Sequence, residues 1–374
     1  MSQPVLAISR RTRSTPYSNR VSECGVKGYT VYNRTLLSTQ FRESAEADYW
    51  HLREFVQIWD VTCERQVQLQ GPDAAKLAQL MTPRNLQKAV VGQGVYAPIV
   101  NQDGGMLNDP IILKLAEDKF WLSIADSDLL LWAKGLAYGM NLNVDVTEPD
   151  VFPLAVQGPK ADDVVAKVFG EQVRDIRFFR FEELEFQGVK MPVARSGWSK
   201  QGGFEIYLTD FSLGEALWDA LWDAGKEFNI GPGNPNLIER IEGGLFSYGN
   251  DFTTENNPLE CGLDQYCHLD GGFDFIGKEA LLKIREEGVK RRIRGLVIDG
   301  ELKTACSGLW PVEVDGKFAG NVTSACYSPA LKNNIANGMI EIDFCETGQS
   351  VTVQTPDGPR QAKICDLPFE VPEL

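Results

Sequence analysis

Two glycine-rich turns, each set between strand patterns, do most to limit how this chain can fold. Asn101-Gln-Asp-Gly-Gly105 joins the run around Tyr96 to Met106–Leu115, and Ser199-Lys-Gln-Gly-Gly203 joins Met191–Trp198 to Phe204–Leu208. Such turns return the chain beside itself, so each predicts an antiparallel hairpin. Around them lie helical patterns at 73–81, 127–138, 160–169, 213–228 and 236–248, with Ser127 or Asp126 and Asn236 as caps. Strand–helix alternation built on hairpins argues for an α+β fold with antiparallel sheets and against a parallel doubly wound sheet. After residue 285 the pattern becomes short strands between Gly, Asn and Pro turns, which predicts a small all-β domain.

The chain has 374 residues, enough for two or three domains. The expected division is 1–280, holding two intertwined α+β domains, and 281–374, a β-barrel or jelly roll. Residues 1–20 are basic and turn-rich and are expected to form a late-packing or mobile arm. Net charge is −15, so phosphate backbones and anionic membranes are repelled and neither nucleic acid nor membrane is an expected partner. No apolar run reaches spanning length, and Ser9-Arg10-Arg11-Thr12-Arg13-Ser14 has no apolar stretch behind it, so export is not expected. The eight cysteines include no Cys-x-x-Cys pair and are expected to be reduced thiols in a cytoplasmic protein. With only His51 and His268, no metal centre is expected, and there is little material for a histidine-assisted nucleophile.

Some apparent motifs dissolve on inspection. Gly272-Phe-Asp-Phe-Ile-Gly277-Lys278-Glu279 nearly spells a phosphate loop but ends in glutamate where a magnesium-binding hydroxyl is required. The basic run Arg285–Arg294 reads as a solvated connector, although it could hold an anion. The hairpins carry more. A period of two puts Leu107, Asp109, Ile111 and Leu113 on one face, so Asp109 should point inward and need N–H donors, from a ligand or from backbone amides. Glu205 and Tyr207 share a face, with Trp198 before the turn. Acid and aromatics could clamp a flat heterocycle, or form an exposed acidic face. Arg240 could hold a carboxylate, or pair with Glu205 or Glu242.

These segments occur in an order that resembles the folate-dependent aminomethyltransferase family, typified by the T-protein of the glycine cleavage system. The marks are Trp59-Asp60-Val61, Val67-Gln-Leu-Gln-Gly71, Tyr96 with Gly104-Gly105-Met-Leu-Asn-Asp109, Ser199 to Tyr207, Glu239-Arg240-Ile-Glu242 with Tyr248-Gly249, Asn257-Pro258-Leu259-Glu260, Phe275 to Glu279, and Leu367-Pro368-Phe369. The resemblance implies a three-domain cloverleaf of T-protein type that binds tetrahydrofolate as methyl acceptor, without a metal, and works as a homodimer. It also implies cofactor contacts from Tyr96, Asp109, Ser123, Glu205, Tyr207 and Arg240. Val26–Asn33, Ala194–Gly203, Ile230–Arg240 and Glu260–Tyr266 are similar to the branch that demethylates dimethylsulfoniopropionate, and Gly233-Asn-Pro-Asn236 departs from the glycine-cleavage pattern Gly-Ala-Arg-Asp. For such a sulfonium donor the implied aromatic partners are Tyr32, Trp198 and Tyr207, with Asp109 as a candidate base. Demethylation of another onium, amine or methoxy compound, or folate binding without turnover, stays open at this point.

Overall fold

The computed structural model describes residues 9–373. The chain separates into two compact units, one from the segments up to Arg65, Pro149–Gly197 and Gln201–Pro235, the other from Gln66–Glu148, Trp198–Lys200 and Asn236 onward.

The first unit is built on a six-stranded sheet, ordered Phe181–Phe186, Val189–Ala194, Gly203–Leu208, Phe152–Gln157, Val56–Asp60, Ile230–Pro232. Pairing is antiparallel except at the last edge, where Ile230–Pro232 runs parallel to Val56–Asp60. Leu154, Val156, Phe204 and Ile206 pack on one face against helices Ala161–Phe169 and Gly214–Gly225, whose Val164, Val165, Leu217 and Leu221 are buried. The register leaves Gln57, Trp59, Ala155, Glu205 and Tyr207 together on the opposite face. The expected arm is only partly one: Thr15 hydrogen-bonds Asp60 at 2.6 Å, Tyr17 is fully buried, and Ser18–Glu23 is helical. Residues 1–8 of that arm lie outside the described residues.

The second unit holds an antiparallel five-stranded sheet and a closed six-stranded barrel. Helices Ala74–Leu80 and Leu129–Gly139 share the core of the sheet. The latter starts at Leu129 behind Asp128, because the Ser127 hydroxyl accepts from Asn108 at 2.8 Å. The barrel runs Arg291–Ile298, Asn333–Glu341, Lys317–Ser328, Trp310–Val314, Ser350–Thr355, Gly358–Cys365, closed around Leu296, Trp310, Val312 and Ile340. A further cluster of Met106, Phe252, Leu259, Leu281, Ile293 and Met339 lies outside the barrel core, with Tyr96 and Tyr248 at its margin. The helix after Asn236 is shorter than its periodicity suggests. Asn236 caps it as expected, accepting from the Ile238 amide at 2.8 Å, but it ends at Glu242, where Gly243 and Gly244 follow and Gly244 takes φ +61.

The arginines of the basic run are paired: Arg285 with Asp270, Arg291 with Glu260, Arg292 with Asp264, Arg294 with Asp366. Lys278 of the apparent phosphate loop is spent on the carbonyls of Gly271 and Phe273. All eight cysteines are free, and no helix among the described residues is long and apolar enough to cross a membrane.

Gly203 shows why the second turn needs glycine. Its φ is +140, and a Cβ there would lie 2.2 Å from the Val156 carbonyl, whereas Gly202 at φ +79 has open space beside it. Gly203→Ala should therefore cost more than about 2 kcal/mol and Gly202→Ala about 1 kcal/mol, a difference that denaturant unfolding of the two variants will measure.

Candidate functional site

Each unit brings some of the expected residues together. In the second, Tyr96 ends the strand Gln93–Tyr96 and pairs with Ile111, so its ring reaches the break at Asp109-Pro110 between the strands Met106–Asn108 and Ile111–Ala116. The Tyr96 hydroxyl donates to Asp109 Oδ2 at 3.0 Å, and among the described residues no other side chain donates to that carboxylate. Its own backbone amide also acts on the carboxylate, which keeps lone pairs for a further donor. Tyr266 meets the Tyr96 ring edge-on at 4.9 Å. Protein crowds the Asp109 carboxyl although part of the residue remains accessible, and desolvation raises its pKa from 3.8 to about 7, helped by the charge of Asp251 and opposed by the Tyr96 hydrogen bond. A single inward face through Leu107, Asp109, Ile111 and Leu113 does not form. Proline at 110 removes a ladder donor and interrupts the strand, after which Ile112 and Leu113 are both buried.

Ser123 sits across from Ile111 on the next strand, and its hydroxyl takes a hydrogen bond from Gln66 Nε2 at 2.9 Å. Arg240 is 5% exposed and does not pair with Glu205 or Glu242. Its Nη1 bonds Asp251 Oδ2 and its Nη2 bonds Ser324 Oγ, each at 2.6 Å. The helical pattern after Asn236 placed Arg240 correctly on its helix, but its partners come from residues 11 and 84 positions away.

In the first unit the Glu205 carboxylate accepts from Ser196 Oγ at 2.5 Å and from Tyr207 Oη at 3.2 Å, both through Oε2. Oε1 has no protein donor among the described residues. Glu205 is 7% exposed and Tyr207 1%, which rules out the exposed acidic face, since every residue of Gly203–Leu208 is buried. Burial raises the Glu205 pKa against the lowering pull of the two hydroxyls. Tyr207 therefore supports Glu205 and presents little ring surface. Tyr32 ends the strand Gly28–Tyr32 of a separate two-stranded sheet in this unit and is half-buried. Trp198 is half-buried in the short segment grouped with the second unit.

Sequence reasoning passed over Ser196, Tyr266 and Asp251. Ser196 stands nine positions before Glu205, with the turn between, and Asp251 lies in a stretch of turn residues without periodicity. Only three-dimensional proximity marks either. Each of these carboxylates, taken in its own unit, keeps lone pairs that suit an N–H donor of a ligand. Among the described residues no group of His, Cys, Asp and Glu is placed to hold a metal ion.

Residues 17–271 match the GCVT N-terminal domain and residues 291–369 the glycine cleavage T-protein C-terminal barrel domain. The chain is 53% identical to the dimethylsulfoniopropionate demethylase DmdA of Ruegeria pomeroyi over 95% of its own length and 97% of that protein. It is 32% identical to an aminomethyltransferase of Koribacter versatilis over 85% of each chain, and 30% identical to one of Thermoanaerobacter pseudethanolicus over 89% and 91%. The crystal structure of the glycine cleavage system aminomethyltransferase T from Bartonella henselae superposes with TM-score 0.85 over 96% of this chain and 98% of that one, at 22% identity, which establishes the fold.

The raised pKa of Asp109 makes a prediction. A folded-state value of about 7 against 3.8 means that the native state holds this proton more tightly than the unfolded chain. The resulting stability is fully present below about pH 4 and is lost as pH rises through 7. Asp109→Asn should therefore match the parent near pH 4 and melt at a higher temperature above pH 7, as thermal unfolding across that range will show.

Proposed function

This chain belongs to the glycine cleavage T-protein (aminomethyltransferase) family, and on that premise we propose that it transfers one methyl group from dimethylsulfoniopropionate to N5 of tetrahydrofolate, giving 3-(methylthio)propionate and 5-methyltetrahydrofolate. The observation that carries this reading is the 53% identity, nearly end to end, with a dimethylsulfoniopropionate demethylase.

The chemistry suits the residues present. A sulfonium leaves as a neutral thioether, so the protein's task is to hold donor and acceptor in line, which can lower a barrier by ~7–11 kcal/mol. Tetrahydrofolate, when bound, supplies the nucleophilic N5 and releases one proton as the methyl arrives. Asp109, with a pKa of about 7, is ionised in a large fraction of molecules near neutrality and can take that proton on Oδ1 while Tyr96 holds Oδ2. Glu205 offers Oε1 to N–H donors of the pterin, with Ser196 and Tyr207 fixing its other oxygen. Ser123, from the strand beside Ile111, is assigned to the folate side with Tyr96. Arg240 acts through the residues it holds. Trp198 and Tyr32 keep ring surface accessible and are the proposed aromatic partners of the sulfonium, while buried Tyr207 serves Glu205. Action in the cytoplasm, a homodimer, and the division into a folate-binding region 1–280 and a barrel domain 281–374 belong to this proposal on the family resemblance.

An anaerobic assay with reduced tetrahydrofolate and dimethylsulfoniopropionate tests it. Thioether and 5-methyltetrahydrofolate should appear in equal amounts; folate binding without either product would move the donor to another methylated compound. Glu205→Gln should raise the KM for folate about ten- to a hundredfold, the worth of one charged hydrogen bond. Trp198→Ala should raise the KM for the donor about two- to thirtyfold. If it raises only the folate KM, the aromatic assignment is wrong.

A further inference from the structure

Asp251 has no role in the chemistry above, yet its surroundings are built with care. Its side chain is wholly buried. Oδ2 accepts from Arg240 Nη1 at 2.6 Å and from the Ser247 amide at 3.0 Å. Oδ1 accepts from Thr323 Oγ1 at 2.8 Å and from Ser324 Oγ at 2.7 Å. Successive residues of a strand ordinarily face opposite ways. The barrel strand Lys317–Ser328 avoids this with a register shift: Val322 pairs with Gly338 and Ser324 with Asn337, so Thr323 is the extra residue of a bulge. The bulge turns two consecutive hydroxyls onto one carboxylate oxygen, and Ser324 also takes the second arm of Arg240.

The segment that carries Asp251 also forms part of the surroundings of Asp109. Met106 N donates to the Asn256 carbonyl at 2.8 Å, and a Cβ on Gly105 would lie 2.3 Å from the Thr254 carbonyl, so the first hairpin is pressed against residues 254–256 just before it reaches Asp109. Gly249 N bonds the Phe252 carbonyl at 2.8 Å, and the Tyr248 and Phe252 rings meet at 6.0 Å, bracketing Asp251. The titratable groups facing Asp109 are Tyr96 from its own sheet, Tyr248 and Asp251 from this segment, and Cys261 beyond it, whose thiol feels both aspartates.

We propose that Asp251 is a positioning residue of the site: anchored by Arg240 and the barrel bulge, its carboxylate fixes the segment packed against the first hairpin and sets the electrostatic field at Asp109. The barrel thereby tunes a carboxyl it does not touch. Its negative charge repels ionisation of Asp109, and the donors around it limit that repulsion. The inference rests on the reading of Asp109 as proton acceptor, and the test separates the two.

The Asp109 carboxyl is titrated in the ligand-free protein through the infrared C=O stretch that disappears in Asp109→Asn, beside the pH profile of kcat. The parent midpoint is expected at about 7. Asp251→Asn, which deletes the repelling charge and leaves Arg240 bare, should lower it by about one unit or more. Ser324→Ala, which strips one donor from Asp251 and keeps both charges, should raise it. Opposite shifts are the signature, because general loosening would move both variants the same way. A midpoint unmoved in the folded variants, or moved in one direction by both, overturns the proposal. If Asp251→Asn does not fold, Arg240→Lys, which keeps the charge but loosens its hold on Asp251, joins Ser324→Ala, and a midpoint that either leaves unmoved overturns the proposal. Opposite infrared shifts that the acidic limb of kcat fails to follow would uphold Asp251 and remove Asp109 as proton acceptor.

Discussion

A carboxylate taken out of water must be met by donors or surrender its charge, and much of this architecture answers that demand. Asp251 is met in full, by a guanidinium, two hydroxyls and an amide. Glu205 is met at one oxygen only. Asp109 has one phenol and its own backbone amide, and desolvation lifts its pKa to about 7. The gradation separates a group that holds structure from groups that still have an oxygen to offer.

Those answers shape the fold around them. A sheet that packs two helices on one face would ordinarily leave the other to solvent, yet here the second face carries Gln57, Trp59, Glu205 and Tyr207 in buried positions. Trp59 Nε1 donates to Gln57 Oε1 at 2.9 Å, and Gly233 comes so close that any side chain there would collide with both. The barrel gives up regular pairing at Thr323 to place hydroxyls on Asp251. Irregular backbone thus occurs where polar groups have to be reached.

A methyl transfer from sulfonium asks for alignment and one proton acceptor, and the remaining titratable groups fit so modest a requirement. Burial and the nearby Arg42 charge push His51 down to about 4, so it is neutral at physiological pH. Burial raises the thiols of Cys261, Cys267 and Cys326, which suppresses the thiolate a nucleophile would need. Asp109 is the residue set apart, its proton affinity placed near neutrality.

Local chemistry was legible in the chain itself. Glycine-rich turns fixed both hairpins, apolar periods of two and 3.6 gave part of the strands and most helices, and the change after residue 285 announced the barrel. The shared face of Glu205 and Tyr207 followed from strand alternation, and the ordered motifs identified the family. What alternation could not give was the early stop after Glu242 or the burial of both faces of Gly203–Leu208. Nor could it find the partners of Arg240, because Asp251 and Ser324 are supplied from distant stretches of chain and carry no periodic signal. Turns and amphipathic faces are written by neighbours in sequence; which charges are answered, and so which pKa values move, is settled only when the tertiary structure gathers donors from far along the chain.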